Sequence, residues 1–339
     1  MDPRAPLLGS PARCAASPDS PGSGASGPRA PRSGFAISTA VFSYKTLLLF
    51  YRTIQTVHKF LLRITESAQR MFGGVCAEAL NIEEKSALTV RVYDAYPDYF
   101  SVGAKLYAWE EPWFGARLPA PPARVLVGAC GTGREAIALA DLGYRVDALE
   151  PAPDFVKESR RRLGERGYVY QLSYEQLSSI VIDGKNFPDG DLRAEHYDAV
   201  VLGSGSLTHV LDPGEQQRLL RSMCLLCPRG PILASFFCDA EQGTAASAGR
   251  ATRVGRRIGR VIARIRGISA ACSDRLSYRS HSGFAYTFTQ TEIERLASAV
   301  GRNVAWEQQA RMHPFHYVTL LLRPDSTTRA LRADSIDGQ

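Results

Sequence analysis

From residue 124 to residue 322 the chain repeats one rhythm, in which short apolar runs alternate with segments of helix length. The runs are 124–127, 144–149, 168–172, 197–202, 231–237, 302–308 and 317–322, and the helical segments between the first five are 133–142, 152–165, 174–180 and 214–227. A further helical segment, 289–300, precedes the sixth run. Strands that alternate with helices are joined by crossover connections, so the sheet they form is mainly parallel and covered on both faces. The last two runs are separated only by 310–316, too short for a helical crossover, and should pair antiparallel at the sheet edge. The expectation is an α/β fold: a doubly wound, mainly parallel seven-stranded sheet with an antiparallel edge strand, preceded by an N-terminal helical cap.

The flanking segments differ in kind. Residues 1–34 form a Pro/Gly/Ala-rich tail that buries too little apolar surface to offset chain entropy, and 326–339 form a second tail expected to be disordered. Residues 35–115 read as the helical cap, with Leu47, Leu48, Phe50, Tyr51, Ile54, Val57 and Leu61 recurring at helical spacing. Its window 46–64 is interrupted by Arg52, His58, Lys59 and Arg63, whereas a membrane span needs about 20 nearly uncharged residues, so it reads as an amphipathic helix. Tyr93, Tyr96, Tyr99, Phe100, Tyr107, Trp109, Trp113 and Phe114 then crowd together, for which core packing is a sufficient explanation. A Pro-rich hinge at 119–122 leads into the main domain, 116–325.

Within that domain, 239–285 is a basic insert or lid, far longer than the usual connection of about 2 to 6 residues. Inside it Arg250, Arg253, Arg256, Arg257, Arg260, Arg264 and Arg266 alternate with Val254, Ile258, Val261, Ile262 and Ile265, which makes a basic amphipathic helix. The formal charge of +7 is therefore gathered in patches. An anionic membrane surface or an acidic substrate are the partners Arg250 to Arg266 suggests, and whole-protein nucleic-acid binding does not follow. Seven scattered cysteines and no secretory start point to a reducing cytoplasmic setting. Cys224 and Cys227 read as two buried helix thiols, and no cluster of metal ligands is present, so no metal is expected.

The informative stretch runs Val125-Leu-Val-Gly-Ala-Cys-Gly-Thr-Gly-Arg134, after a strand and opening a helix. Its glycines allow a sharp turn and close approach of a ligand, and the helix start offers unpaired N–H groups. Glu150, at the tip of the second strand, is placed to accept ribose hydroxyls. The stretch 124–163 resembles the first βαβ unit of class I (Rossmann-like) S-adenosylmethionine-dependent methyltransferases, with Gly131, Thr132 and Gly133 matching their G-C-G-T-G loop. It departs from the family at Val127, often an acid, and at Ala129, often a glycine. A second likeness is Tyr197-Asp-Ala-Val-Val-Leu-Gly-Ser-Gly-Ser-Leu-Thr-His-Val210, which is similar to an F-D-x-V strand followed by G-x-S-x-x-H-L in small-molecule methyltransferases.

The resemblance implies S-adenosyl-L-methionine as cofactor, bound by Val127, Ala129, Gly131, Thr132, Gly133, Glu150, Ser173, Tyr174 and Gly203. Ser173 stands where the family places an adenine-binding Asp, and Tyr174 where a side chain packs on the ring; a helix N-cap with an exposed aromatic neighbour is the alternative. Ser204 and His209 are the catalytic candidates, His209 either as a base or as a structural brace. Phe236, Phe237 and 281–288 would form an aromatic lid or ordinary core. The expected reaction is methyl transfer to O, N or C of a small-molecule acceptor. Methylation of a lipid headgroup or RNA through the basic insert, and a cofactor-binding protein without transferase activity, are the other readings.

Overall fold

The computed structural model describes residues 34–95, 103, 105–186, 197–239, 249–268, 275–279, 282–307 and 315–323. Residues 1–33 of the first predicted tail, the whole of the second, Tyr96, Tyr99, Phe100 and His281 lie outside the described residues, and Gly34 already belongs to a helix. The chain divides into two units, residues 1–61 and 62–339. In the first, the described part is the start of helix α1 (Gly34–Ala79), and it exposes Leu47, Leu49, Phe50, Tyr51, Ile54, Val57 and Phe60. Among the described residues no helix is long and apolar enough to cross a membrane.

The second unit is the α/β body. Its strands are β1 (Arg124–Val127), β2 (Arg145–Leu149), β3 (Gly167–Tyr170), β4 (Ala199–Leu202), β5 (Ile232–Cys238), β6 (Leu276–Arg279), β7 (Gly283–Phe288), β8 (Arg302–Trp306) and β9 (His316–Leu322). Its helices after α1 are α2 (Ile82–Ala95), α3 (Glu110–Arg117), α4 (Arg134–Asp141), α5 (Pro153–Leu163), α6 (Tyr174–Val181), α7 (Pro213–Leu226), α8 (Arg250–Ile265) and α9 (Gln290–Ala299). Strands β3, β2, β1, β4 and β5 lie side by side, all parallel. Strand β9 pairs antiparallel with β5 and with β8, so β8 at the edge runs the same way as β5. The reversed strand is thus next to last, and the seven strands run β3-β2-β1-β4-β5-β9-β8.

Side-chain alternation sorts the strands into two cores. Val125, Val127, Ala199 and Val201 pack on one face with Trp113, Phe114, Ile137, Leu139 and Val156. Leu126, Val200 and Leu202 pack on the other with Leu177, Leu219, Met223, Leu296 and, from α1, Cys76 and Ala77. Residues buried on both faces explain why these strands read as continuous apolar runs.

The insert holds the largest departure from expectation. Residues 283–288 are a strand, β7, which pairs antiparallel with β6 and parallel with the end of β5. Phe284, Tyr286 and Phe288 are core residues rather than an aromatic lid, as is Phe236, whose ring meets Phe288 edge to face. Phe237 packs against Phe315 and carries the Arg279 guanidinium over its ring. Cys227 is buried and Cys224 half-buried at the end of α7, and burial pushes the Cys227 thiol up to about 11, which keeps it protonated.

Candidate active site

The carboxyl ends of β1, β2 and β4 meet at the turn 128–133, where an open α/β sheet forms its ligand crevice. The turn is anchored at both sides: Gly128 donates to the Val201 carbonyl (2.8 Å) and Cys130 to the Leu149 carbonyl (2.9 Å). Ala129, Gly131 and Gly133 all take left-handed backbone, with φ of 47°, 57° and 89°. The position where the glycine pattern is broken, Ala129, therefore still adopts the conformation a glycine would favour. A side chain at Gly131 would meet nothing within 4 Å, so its backbone faces open space. At Gly128, by contrast, a Cβ would lie 2.6 Å from the Tyr174 hydroxyl.

Glu150 is buried under this turn. One carboxylate oxygen accepts from the Gly131 N–H (2.8 Å) and the other from the Ala152 N–H (2.9 Å). Those bonds favour the charged form, but burial outweighs them and, with Asp94 nearby, the carboxyl is pushed up to about 7. A carboxylate offers about four acceptor positions, so two remain for ligand hydroxyls.

A second charged group sits where α4 begins. Arg134 donates to both oxygens of Glu110 on α3 (2.5 and 2.6 Å), to Glu135 (2.7 Å) and to the Ser204 hydroxyl (2.8 Å), with the Tyr107 ring against its guanidinium. Ser204, itself left-handed at φ 48°, donates to Glu135 (2.8 Å). Glu135 presses on the backbone of Gly203, where a Cβ would fall 2.3 Å from its carboxylate oxygen. Burial raises the Glu135 carboxyl to about 7; Arg134 opposes the shift and Glu110 adds to it.

The third group joins α2 to the segment after β4. The Nδ1 of His209 lies 3.0 Å from the Phe284 carbonyl, which can only accept, so Nδ1 carries the proton. Nε2 then has a lone pair, and the Tyr93 hydroxyl donates to it at 2.8 Å. Burial lowers the His209 pKa and holds the ring neutral, while burial, aided by the Glu150 charge, raises that of Tyr93.

Residues 125–230 match the family described as the methyltransferase domain. The chain carries a methyltransferase domain. No curated protein matches it in sequence. Among solved structures it is similar to magnesium protoporphyrin IX methyltransferase from Synechocystis PCC 6803, at 15% identity over 70% of this chain and 100% of that one, TM-score 0.44. It is also similar to a SAM-dependent methyltransferase from Methanosarcina mazei (15%, 64% and 99%, TM-score 0.43). A third is 1,6-didemethyltoxoflavin-N1-methyltransferase from Burkholderia thailandensis (17%, 87% and 91%, TM-score 0.38). Likenesses this loose carry no weight for substrate.

The methyltransferase domain gathers most of the residues singled out in the sequence, in unequal states. Gly131, Gly133, Glu150, Gly203, Ser204 and His209 lie at the strand ends as described. Val127 is wholly buried in the core, and the Thr132 carbonyl accepts from Arg162 (2.8 Å). Ser173 is an N-cap: its hydroxyl accepts from the Gln176 N–H (3.2 Å) in a capping box. The Tyr174 ring is buried in the core and its hydroxyl donates to Ser206 (3.0 Å). Sequence reasoning did not single out Tyr93, Glu110, Arg134 or Glu135 as site residues. Only Arg134 and Glu135 carried a signal, since they directly follow the glycine turn. A cavity of about 480 Å³ between α3 and α4, lined by Leu106, Phe114, Leu118, Leu139, Leu142 and Tyr144, includes none of the strand-end residues above and is separate from the crevice.

Proposed function

We propose that this methyltransferase domain takes its methyl group from S-adenosyl-L-methionine and passes it to O, N or C of a small-molecule acceptor. The observation that carries the reading is the charge balance at the glycine turn. Three carboxyl groups, Glu150, Glu135 and Glu110, are buried around the turn against one cation, Arg134, which Glu110 holds through both terminal nitrogens and which also contacts Glu135. Such a site suits a ligand bearing a sulfonium and an ammonium group, and it opposes the pyrophosphate of a dinucleotide. The two unused acceptor positions of Glu150 suit ribose hydroxyls, and the bare backbone at Gly131 leaves room for close approach.

When bound, the cofactor supplies an electrophilic methyl group, and in-line displacement gains most from alignment of donor and acceptor. Gly203 and Ser204 form the floor held by Glu135 and Arg134. Ser204 has its proton directed to Glu135, so its part is to position that floor rather than to activate an acceptor. Neutral His209 is the candidate base, reached through the Tyr93 hydroxyl, which is hydrogen-bonded to its open nitrogen. Ser173 and Tyr174 bound the adenine end as cap and core, and helices α2 and α3 serve as part of a cap over the 116–325 domain. A cytoplasmic location fits the free thiols of Cys76, Cys130, Cys224, Cys227 and Cys238.

Calorimetric titration with S-adenosylmethionine, S-adenosylhomocysteine and NAD tests the reading. Micromolar binding of the first two and none of the third is expected; binding of NAD alone, or of none, would overturn it.

A further inference from the structure

Helix α8 buries the wrong side for an ordinary amphipathic helix. Its buried positions are Gly255, Gly259 and Ala263, not its branched apolar residues. This small-residue face lies backbone to backbone on the end of α1: a Cβ at Gly255 would sit 2.0 Å from the Met71 carbonyl oxygen, and one at Gly259 2.5 Å from that of Val75. Across the seam, a Cβ at Gly74 would sit 2.5 Å from the Thr252 carbonyl oxygen.

That docking divides the arginines into two groups. Arg256 and Arg260 face the buried Glu78 (3.8 and 3.5 Å), and Arg256 also donates to the Leu276 carbonyl. Arg266 pairs with Glu84 (2.5 Å) and caps the end of α1 through the Ala79 carbonyl. These three hold the helix in place. Arg250, Arg253, Arg257 and Arg264 are exposed and make no ion pair among the described residues. Between them and the seam, Val254, Ile258, Val261 and Ile265 recur at positions i, i+4, i+7 and i+11 and are 44% to 81% exposed. Helical geometry places these four in one stripe with the exposed arginines along its flank.

We propose that α8 docks the protein on an anionic lipid surface, with the stripe inserted at the headgroup boundary and Arg250, Arg253, Arg257 and Arg264 on lipid phosphates. A row of branched apolar residues beside exposed arginines is the composition of an interfacial helix. The helix has no acidic residue, so a second copy brought against it by two-fold symmetry would set arginine against arginine. A nucleic-acid backbone would use the cations but leave the stripe in water. The proposal does not depend on which acceptor is methylated.

The test is flotation of the full chain with vesicles of phosphatidylcholine alone or containing phosphatidylglycerol. Binding only to the anionic vesicles, released by high salt, is expected. Each cation near an anionic leaflet contributes roughly fivefold, so reversing Arg253, Arg257 and Arg264 to Glu should lower partition by more than about a hundredfold. Replacing Ile258 and Ile265 with Ser should weaken binding at all salt concentrations. Cofactor affinity and melting temperature, measured on each variant, should match the parent and so show that it is folded. No vesicle binding, binding indifferent to these variants, binding of RNA in place of vesicles, or self-association through α8 would each overturn the proposal. Loss of the methyltransferase reading would show instead as absent cofactor binding with vesicle binding intact.

Discussion

The two backbone N–H groups that hold Glu150 do not offset its burial, so its protonation should couple cofactor binding to pH. Its carboxyl titrates at about 7 rather than 4.5 when the site is empty. Ribose hydroxyls bind the charged form, each through a charge-assisted bond of about 1.5–3 kcal/mol. Apparent affinity should then follow the ionised fraction, rising roughly tenfold between about pH 6 and pH 8. Stability should move the other way. The folded state holds the proton more tightly than the unfolded one, so stability is full below about 4.5 and falls until the pH passes about 7, by roughly 3 kcal/mol for this one group. The thermal shift produced by S-adenosylmethionine should widen over the same interval in which the ligand-free melting temperature drops. Calorimetry between pH 6 and 8.5, in buffers of different ionisation enthalpy, would also detect the proton released on binding. Glu150→Gln should remove the pH dependence and weaken binding. A flat affinity profile in the parent, with Glu150→Gln binding equally well, would refute the ribose role and the reasoning behind it.

Three further changes probe separate parts of the site. Ala129→Gly relieves a left-handed alanine and should stabilise the protein by up to about 1 kcal/mol, read as a raised melting temperature with unchanged cofactor affinity. Gly203→Ala drives a methyl group into Glu135 and should cost about 1–3 kcal/mol of stability together with most turnover; normal melting and turnover would show that Glu135 yields freely. Tyr93→Phe removes the donor to His209 and should lower turnover by about tenfold or more with little change in cofactor affinity, and shift the pH–rate profile. An unchanged profile would leave His209 a brace.

The repeating strand–helix rhythm was legible because each strand is buried on both faces and each helix on one. The β6–β7 hairpin was not read, although Gly283-Phe-Ala-Tyr-Thr-Phe288 alternates with a period of two, because its place beside the crevice suggested a lid. The glycine turn and Glu150 were marked by their spacing together with the family resemblance, and they meet directly because they end consecutive strands, the Gly131 N–H on the Glu150 carboxylate. Tyr93 and His209 lie 116 positions apart, and Arg134 and Glu110 lie 24 apart, so only the packed chain brings them together. Glu135 in a first helical turn is what any helix start favours, which hid its contact with Gly203. In α8 the branched apolar residues make the stronger sequence pattern, yet it is Gly255, Gly259 and Ala263, spaced four apart, that form the docked face.

The Glu110–Arg134 pair has a consequence for where this enzyme can be cut. The stretch that matches the methyltransferase-domain family starts at residue 125, but the guanidinium beside the glycine turn is paired with a carboxylate fifteen positions upstream of that start. A fragment trimmed to the matching residues would keep the turn but take the two-bond Glu110 partner from a buried arginine, leaving it on Glu135 and Ser204 alone, and should be less stable for it. Kinship in sequence ends at one border, and self-sufficiency ends at another.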